Sequence, residues 1–507
     1  MNEVKAQLAI IGIDSLDPSI ILKYGSHLPN LSRMVEQSPT FTSKSVFPVD
    51  TIPAWVSIYT GRIPANHGLI YVYDVFDPHL SDLAKLDLTE FKGKTFWDYA
   101  GKEGCEVVLV MPHLAYPAWS VNGIMVSRSP FEQRIDELRT TRDISVYPEW
   151  VREKYALPDT LADVWGQFPS KKHLTEWITL GSEVIEKEKA IGLQLFQHEK
   201  WDLFFIYFSI LDMVQHRLWR FFDPNDPTYP GKSEYGRVIV DFYVLFDSLI
   251  GEFQNANGDT TMIVMSDHGH RMRPIKTVNV NEYLRRCGYL IQQRKSSRLT
   301  RQLSRTLLGV ASKFNIERTL MKFMVRSERM TRVGKSLYSS SGSIDRERSA
   351  AFLSTFAGIK SYSFGGIEIN SEALSDAEYA RVLAELETRL LELKTQHGDT
   401  AIICTKRRDE LRAEGSGAAI YPDLLFELKE DFGVGWELYS DLFGRAYDHK
   451  LASGGHGKVA TFLITGAERP TAKDDVSIVD AAPTILDLLG VNWRKFRFDG
   501  RSIFERD

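Results

Sequence analysis

The chain has 507 residues, which exceeds the size of one small domain and allows a large α/β core with insertions. Its formal net charge of -5 gives no overall attraction toward nucleic acid or an anionic membrane, so no nucleic-acid partner is expected. Any electrostatic recognition must therefore be local.

The cysteines and the apolar segments indicate the cellular compartment of the protein. Cys105, Cys287 and Cys404 lie far apart and form no C-x-x-C pair, which argues against a thiolate zinc site or a disulfide framework. The apolar run near the N-terminus is too short for a signal peptide, and no apolar stretch is long enough for a transmembrane helix. The sequence therefore predicts a cytoplasmic protein without a transmembrane segment, and it leaves the oligomeric state open.

Short runs of consecutive apolar residues predict buried parallel strands. In chain order these runs are 8–13, 107–110, 203–208, 262–265, 401–404 and 462–464. Helical periodicity between them predicts helices over 28–36, 177–197, 235–253 and 377–393. Strands that alternate with helices indicate an α/β fold, with a mainly parallel sheet flanked by helices on both faces.

Composition divides the chain into a core and insertions. We predict that 1–290 and 346–507 form the catalytic core, with an elaboration at about 113–175 that is rich in Trp, Tyr and Pro. The range 291–345 is predicted to be a basic helical insertion, because 291–340 carries twelve Lys or Arg residues and only two acids.

Three acids follow predicted strands: Asp14 after 8–13, Asp212 after 203–208 and Asp267 after 262–265. The carboxyl ends of parallel strands line the ligand crevice of an open sheet, so these side chains can converge there. The ordinary alternative for any one of them is a helix N-cap, which Asp forms well.

Histidines accompany these acids. His216 stands four residues after Asp212, a spacing that places both side chains on one helix face. His268 follows Asp267 directly, and His456 stands in the glycine-flanked segment SGGHGK. Carboxylates and imidazoles in this number suit two zinc or manganese ions that share one site.

The candidate nucleophile is Thr51, in the segment FPVDTIPAWVSIYTG. Pro53 near the first turn and Gly61 after the last indicate a short helix, with Thr51 predicted at its N-cap. A hydroxyl at a helix N-terminus lies beside free N–H groups that can cradle phosphoryl oxygens, and a bound metal would lower its pKa. The alternative is a capping role alone.

The order Asp, Thr-x-Pro, Asp-x-x-x-His, Ser-Asp-His-Gly, Gly-x-His resembles the type I phosphodiesterase/nucleotide pyrophosphatase family of the alkaline-phosphatase superfamily. It is carried by IIGID, DTIPAWVSIYTGRIPANHG, SILDMVQHRLW, MIVMSDHGH and SGGHG. The resemblance implies an alkaline-phosphatase-like core. It places one metal on Asp14, Thr51, Asp267 and His268, and a second on Asp212, His216 and His456. It also implies that the Ile52 backbone N–H contacts the phosphoryl group. Lys458 and His270 lie nearby in the sequence, and we interpret them as bystanders.

The activity that the resemblance implies is metal-dependent hydrolysis of a phosphodiester or phosphoanhydride through a covalent phosphothreonine intermediate. The alternatives are a phosphomonoesterase, a phosphonate hydrolase or a phosphotransferase on the same metal centre, and a non-catalytic polyanion-binding protein. Val72 stands where animal-type relatives carry a phosphoryl-binding Asn, which weakens the nucleotide pyrophosphatase interpretation but leaves the metal site intact.

The basic insertion contains a helical apolar stripe. Its members recur at three- and four-residue spacings and are Leu299, Leu303, Leu307, Val310 and Phe314. Arg298, Arg301 and Arg305 fall off that stripe, which indicates a basic amphipathic helix. This helix is either ordinary packed surface or a lid that attracts an anionic or lipid-like ligand.

Overall fold

The structure is a computed structural model. It describes residues 7–70, 90–130, 133–134, 140–155, 157, 173–256, 258, 260–293, 306, 310, 344–354, 356, 362–395, 397–411, 421–447, 449–466 and 474–505. Val72 and the predicted basic helix, apart from Thr306 and Val310, lie outside the described residues. The lid interpretation of 291–345 therefore stays a prediction.

The described residues form the following regular elements. The strands are β1 (Leu8–Ile13), β2 (Thr42–Lys44), β3 (Val107–Val110), β4 (Gly123–Arg128), β5 (Gln133–Arg134), β6 (Thr140–Thr141), β7 (Ile144–Tyr147), β8 (Leu203–Phe208), β9 (Thr261–Met265), β10 (Gly269–Met272), β11 (Lys276–Asn279), β12 (Ala351–Leu353), β13 (Phe364–Ile369), β14 (Ile402–Arg407), β15 (Leu424–Leu428), β16 (Phe432–Gly435), β17 (Phe443–Arg445), β18 (Gly454–Gly457) and β19 (Val459–Thr465). The α-helices are α1 (Pro18–Lys23), α2 (Pro29–Gln37), α3 (Thr51–Thr60), α4 (Pro64–His67), α5 (Phe96–Lys102), α6 (Trp150–Lys154), α7 (Leu174–His198), α8 (Ile210–Phe222), α9 (Val238–Ala256), α10 (Val280–Arg286), α11 (Asp376–Leu391) and α12 (Ala481–Leu488). Within the described part of the chain, none of these helices has the length and apolarity needed to cross a bilayer.

The described residues fall into two compact units. The first contains those within 1–69, 84–271 and 456–507, and the second contains those within 272–455 together with Ile70. All seven predicted metal ligands belong to the first unit. The predicted insertion at 291–345 falls within the second unit, and its boundaries stay a prediction.

An eight-stranded sheet forms the centre of the first unit, in the order β2-β19-β9-β1-β8-β3-β4-β7. The five strands from β9 to β4 are parallel to one another, whereas β19, β2 and β7 pair antiparallel at the two sides. β1, β3 and β8 are buried at every position, as expected for strands covered on both faces. The predicted α/β fold with a mainly parallel sheet is confirmed.

Most predicted elements have the expected bounds, but two strands differ in direction. The predicted strand at 401–404 is β14, which lies in a separate sheet of the second unit and pairs antiparallel with β15. The predicted strand at 462–464 is part of β19, antiparallel to β9. A short apolar run reports burial, and burial does not fix the direction of a strand, so the predicted parallel pairing is wrong for these two.

The elaboration at 113–175 also contributes to the central sheet. Its sequence is poor in strand patterns, yet β4 extends the parallel part beside β3 and β7 closes that side. Met125 and Val126 are buried, while the residues of β7 are mostly half-buried. An edge strand of this kind needs few apolar residues, and its sequence pattern is correspondingly weak.

The second unit has its own core. A four-stranded sheet in the order β12-β13-β15-β14 and a three-stranded sheet in the order β16-β11-β17 contribute apolar side chains to one cluster. Helix α11 adds Val382, Leu386 and Leu390 to this cluster and begins with a capping box between Ser375 and Glu378. This unit therefore has the hydrophobic core of a compact folded body.

Candidate active site

The candidate ligands meet at one edge of the central sheet. β9, β1 and β8 are parallel neighbours, so the segments that follow them leave the sheet at the same edge. Asp14 follows β1 directly, Asp267 follows β9, and Asp212 lies in the first turn of α8, after β8. Because β19 is antiparallel to β9, His456, just before β19, reaches the same edge.

One group of donors contains Asp212, His216 and His456, and we call it the Asp212 cluster. His216 Nε2 lies 3.3 Å from Asp212 Oδ1 and 3.0 Å from His456 Nε2. His456 Nε2 lies 3.7 Å from Asp212 Oδ1, and the His456 side chain is 4% exposed. Three ligand atoms at these separations can surround a single ion.

The other group contains Asp14, Asp267 and His268, and we call it the Asp14 cluster. His268 Nε2 lies 3.2 Å from Asp267 Oδ2 and 3.8 Å from Asp14 Oδ1. The two clusters adjoin, because the His268 and His456 rings stack with their centroids 3.9 Å apart. The structure thus brings six of the seven predicted ligands into two neighbouring groups of three.

The hydrogen bonds around these donors fit metal binding. His268 Nδ1 lies 3.1 Å from the Gly269 carbonyl oxygen and His456 Nδ1 lies 3.1 Å from that of Val49, so each ring presents Nε2 to its cluster. In the described part of the chain, one oxygen each of Asp14, Asp212 and Asp267 is buried and lacks a hydrogen bond of acceptable geometry. Such acceptors suit a cation. The alternative helix-cap role does not apply to Asp212, because the N-cap of α8 is Ser209, nor to Asp14, because the N-cap of α1 is Asp17.

The electrostatics of the site also favour bound cations. Burial, and after it the neighbouring carboxylates, raise the pKa of Asp14 and of Asp267 well above the usual range. Burial, the largest single influence, acts in the same direction on Asp212, but His216, His270 and His456 together outweigh it and hold that pKa well below the usual range. Burial lowers the pKa of His268 to about 3, so the ring is neutral, which is the form that binds metals. Divalent ions would balance the acidic charge.

Thr51 lies beside the Asp14 cluster. Its Oγ1 is 3.3 Å from His268 Nε2. The predicted N-cap position is wrong by one residue: Asp50 is the N-cap, because its backbone is extended and its carbonyl accepts the bond from Ala54 N. Thr51 is the first residue of α3, and its hydroxyl is directed to the histidine.

Close packing of α3 on the sheet positions Thr51. Trp55 lies over Gly12 of β1, where a Cβ atom would come within 2.7 Å of Trp55 Cη2. The Trp55 ring also meets Tyr207 of β8 edge to face, with centroids 4.9 Å apart. Tyr207 in turn donates a 2.6 Å hydrogen bond to Asp14 Oδ2, so the nucleophile helix and one cluster share a support.

Two residues beside the Asp212 cluster were not predicted as site residues. His270, predicted to be a bystander, is buried, and its Nδ1 lies 3.6 Å from Asp212 Oδ1. Asp50 Oδ2 lies 3.8 Å from His456 Nδ1. The two-residue spacing of His268 and His270 in SDHGH was a signal for His270, whereas nothing in the sequence singles out Asp50. Lys458 is exposed.

Comparison with known proteins identifies the family. The sequence matches type I phosphodiesterase / nucleotide pyrophosphatase over residues 8–432. The chain belongs to this family. The match contains the Asp14 cluster, Thr51, Asp212 and His216, and it ends before His456. A search of curated proteins finds no match.

Solved structures show the same fold. A phosphonoacetate hydrolase from Sinorhizobium meliloti, in complex with phosphonoformate, has a TM-score of 0.51 and 16% identity, over 96% of each chain. Human ectonucleotide pyrophosphatase / phosphodiesterase 5 has a TM-score of 0.50 and 13% identity, over 98% of this chain and 97% of that one. Identities this low establish the fold alone.

Membership of the type I phosphodiesterase family decides the class of chemistry. The chain is a phosphoric ester hydrolase of the alkaline-phosphatase superfamily, and the family is metal-dependent. The predicted family and enzyme class are therefore confirmed. The roles of individual residues, the metals and the substrate are proposals, which follow.

Proposed function

We propose that this chain hydrolyses a phosphodiester or a phosphoanhydride with two divalent metal ions, through a phosphothreonine intermediate on Thr51. The observation that supports this most directly is the 3.3 Å separation between Thr51 Oγ1 and His268 Nε2. This contact places a hydroxyl at the start of a helix beside one of two adjoining ligand clusters. That combination suits in-line displacement at phosphorus.

The ligand assignment follows the two clusters. We assign one ion to Asp14, Thr51, Asp267 and His268, and the other to Asp212, His216 and His456. Carboxylate and imidazole ligands favour zinc, with manganese as the alternative. When bound, the two ions supply stabilisation of negative charge on the phosphoryl oxygens and favour the ionised form of the Thr51 hydroxyl.

Thr51 and the start of α3 carry the chemical steps. Thr51 Oγ1 attacks phosphorus, so an O–P bond to Thr51 forms while the bond to the leaving oxygen breaks. The first N–H groups of a helix have no partner within it, and we assign that of Ile52 to a phosphoryl oxygen. Water then attacks the same phosphorus, the O–P bond to Thr51 breaks, and the proton that the water loses restores the threonine hydroxyl. Two in-line steps retain the configuration at phosphorus.

Two further expectations belong to this proposal. We propose that the basic segment 291–345 attracts an anionic or lipid-like ligand, on the strength of its charge composition. We also propose a cytoplasmic location. It is supported by the three cysteines, none of which lies in a disulfide, and one of which, Cys105, is buried.

A substrate panel tests the reaction class. Protein loaded with zinc, and separately with manganese, is assayed against a chromogenic phosphodiester, the matching monoester, a nucleotide anhydride and phosphonoacetate. We expect kcat/KM for a diester or the anhydride to exceed that for the monoester. The phosphonate is included because one structural neighbour is a phosphonoacetate hydrolase.

The same panel separates the alternatives. A monoester kcat/KM above that of every diester and anhydride would indicate a phosphatase, and cleavage of phosphonoacetate alone would indicate a phosphonate hydrolase. Transfer of the phosphoryl group to an added alcohol would indicate a phosphotransferase. A metal content near zero, with no turnover, would favour a polyanion-binding protein. Thr51→Ala, purified in parallel, measures the background from contaminating phosphatases.

A further inference from the structure

Ser15 has an unusual backbone conformation for a residue with a side chain. It follows Asp14 directly, is fully buried and has a φ of 64°. This left-handed region is unfavourable for residues with a Cβ atom and readily adopted by glycine. Backbone strain of this kind clusters at functional sites, which directs attention to what the Ser15 hydroxyl does.

The Ser15 hydroxyl orients His270. Ser15 Oγ lies 2.8 Å from His270 Nδ1 and donates its hydrogen to the Gly269 carbonyl oxygen at 3.3 Å. Because a hydroxyl has one hydrogen, a Ser15 Oγ that donates to Gly269 accepts from His270, and we assign the ring proton to Nδ1 on that basis. The same Nδ1 lies 3.6 Å from Asp212 Oδ1. The His270 N–H is thus held between Ser15 and the Asp212 cluster.

The main chain of Ser15 contacts the supports of both clusters. Its N–H donates to Asp267 Oδ1 at 3.2 Å, in the Asp14 cluster. Its carbonyl oxygen accepts from Gln215 Nε2 at 2.9 Å, and Gln215 stands directly before the ligand His216 on α8. One residue therefore connects the ends of β1 and β9 with the helix that carries Asp212.

We propose that Ser15 and His270 form a positioning pair that holds the Asp212 cluster in register with the Asp14 cluster. The pair does not contact the substrate. It acts through Asp212, whose free oxygen it faces, and through the segment of α8 that carries His216. This inference rests on the proposed two-ion site, because it assigns the pair a role in setting the affinity of the second ion.

Two substitutions at Ser15 separate backbone strain from the hydroxyl. Ser15→Ala keeps the Cβ atom, and with it the strain, and loses the hydroxyl, whereas Ser15→Gly loses both. We expect the melting temperature of metal-free Ser15→Gly to exceed that of Ser15→Ala. Both variants should bind the second zinc ion about 10-fold or more weakly than wild type, in competition with a chromogenic chelator.

Substitutions at His270 test the partner. The side-chain amide of Asn can donate from a position near Nδ1, whereas that of Gln lies nearer to Nε2. We therefore expect His270→Asn to retain most of the affinity for the second zinc ion and His270→Gln to lose it. Ser57→Ala is the matched control, because it removes another Ser–His contact of the same unit, from the buried Ser57 Oγ to His67 Nε2 at 3.0 Å.

The outcomes distinguish this inference from the proposed function. If wild type binds two ions and Ser15→Gly binds both with unchanged affinity, the positioning pair is rejected and the two-ion site stands. Equal losses in Ser57→Ala and Ser15→Gly would show a general packing effect and also reject the pair. If wild type binds no zinc or manganese, both proposals fail. The pair is supported if both Ser15 variants bind the second ion more weakly, and if His270→Asn retains the affinity that His270→Gln loses.

Discussion

Thr51→Ala is expected to lower kcat by about three or more orders of magnitude while both metal ions stay bound. The substitution removes the hydroxyl that forms the O–P bond. It leaves three donors in each cluster: Asp14, Asp267 and His268 in one, and Asp212, His216 and His456 in the other. Steady-state kinetics on the best substrate and elemental analysis of the same preparation measure the two effects.

Thr51→Ser is the matched control for the nucleophile. It keeps a hydroxyl at the start of α3, so it should retain a much larger share of kcat than Thr51→Ala. The melting temperatures of the two variants should be similar, because the Thr51 side chain is only half-buried. A Thr51→Ala enzyme with near wild-type kcat would show that the nucleophile assignment is wrong.

His456→Ala is expected to remove one of the two bound ions, with a correspondingly large loss of activity. His456 Nε2 completes the Asp212 cluster at 3.0 Å from His216 Nε2, and the substitution leaves that ion only two protein ligands, Asp212 and His216. Elemental analysis should give about one ion per chain fewer than in wild type.

Two further variants make the metal experiment specific. Asp212→Asn should remove the same ion as His456→Ala. The double variant should lose little more metal or activity than either single variant, since ligands of one ion act as a unit. His449→Ala is the control, because His449 is also a buried histidine but belongs to neither cluster. If His456→Ala kept both ions and full activity, the assignment of His456 would fail.

The convergence of the candidate ligands could be predicted from the sequence because parallel strands all end at the same edge of a sheet. Asp14, Asp212 and Asp267 each follow an apolar run, and in a parallel sheet such positions meet at one edge whatever the strand order. The four-residue spacing of Asp212 and His216 also predicted that both side chains lie on one face of a helix. Their division between two ions came from the family resemblance, and the two clusters in the structure divide the acids and histidines in the same way, with Thr51 beside one of them.

Other features could not be predicted because they depend on tertiary contacts. The contact between Ser15 and His270 depends on the left-handed backbone at Ser15. A serine in the sequence does not predict that conformation, because residues with a Cβ atom rarely adopt it. The start of α3 at Thr51 follows from the extended backbone of Asp50. The direction of β14 depends on its partner β15, since a short apolar run is compatible with either pairing.

The stereochemical course at phosphorus tests the central claim most directly. A diester with a single configuration at a chiral phosphorothioate centre is hydrolysed in isotopically labelled water, and the configuration of the product is determined. Attack by Thr51 followed by attack of water gives two inversions, so the account predicts net retention. Net inversion would mean that water attacks the substrate directly, and it would contradict a covalent intermediate on Thr51.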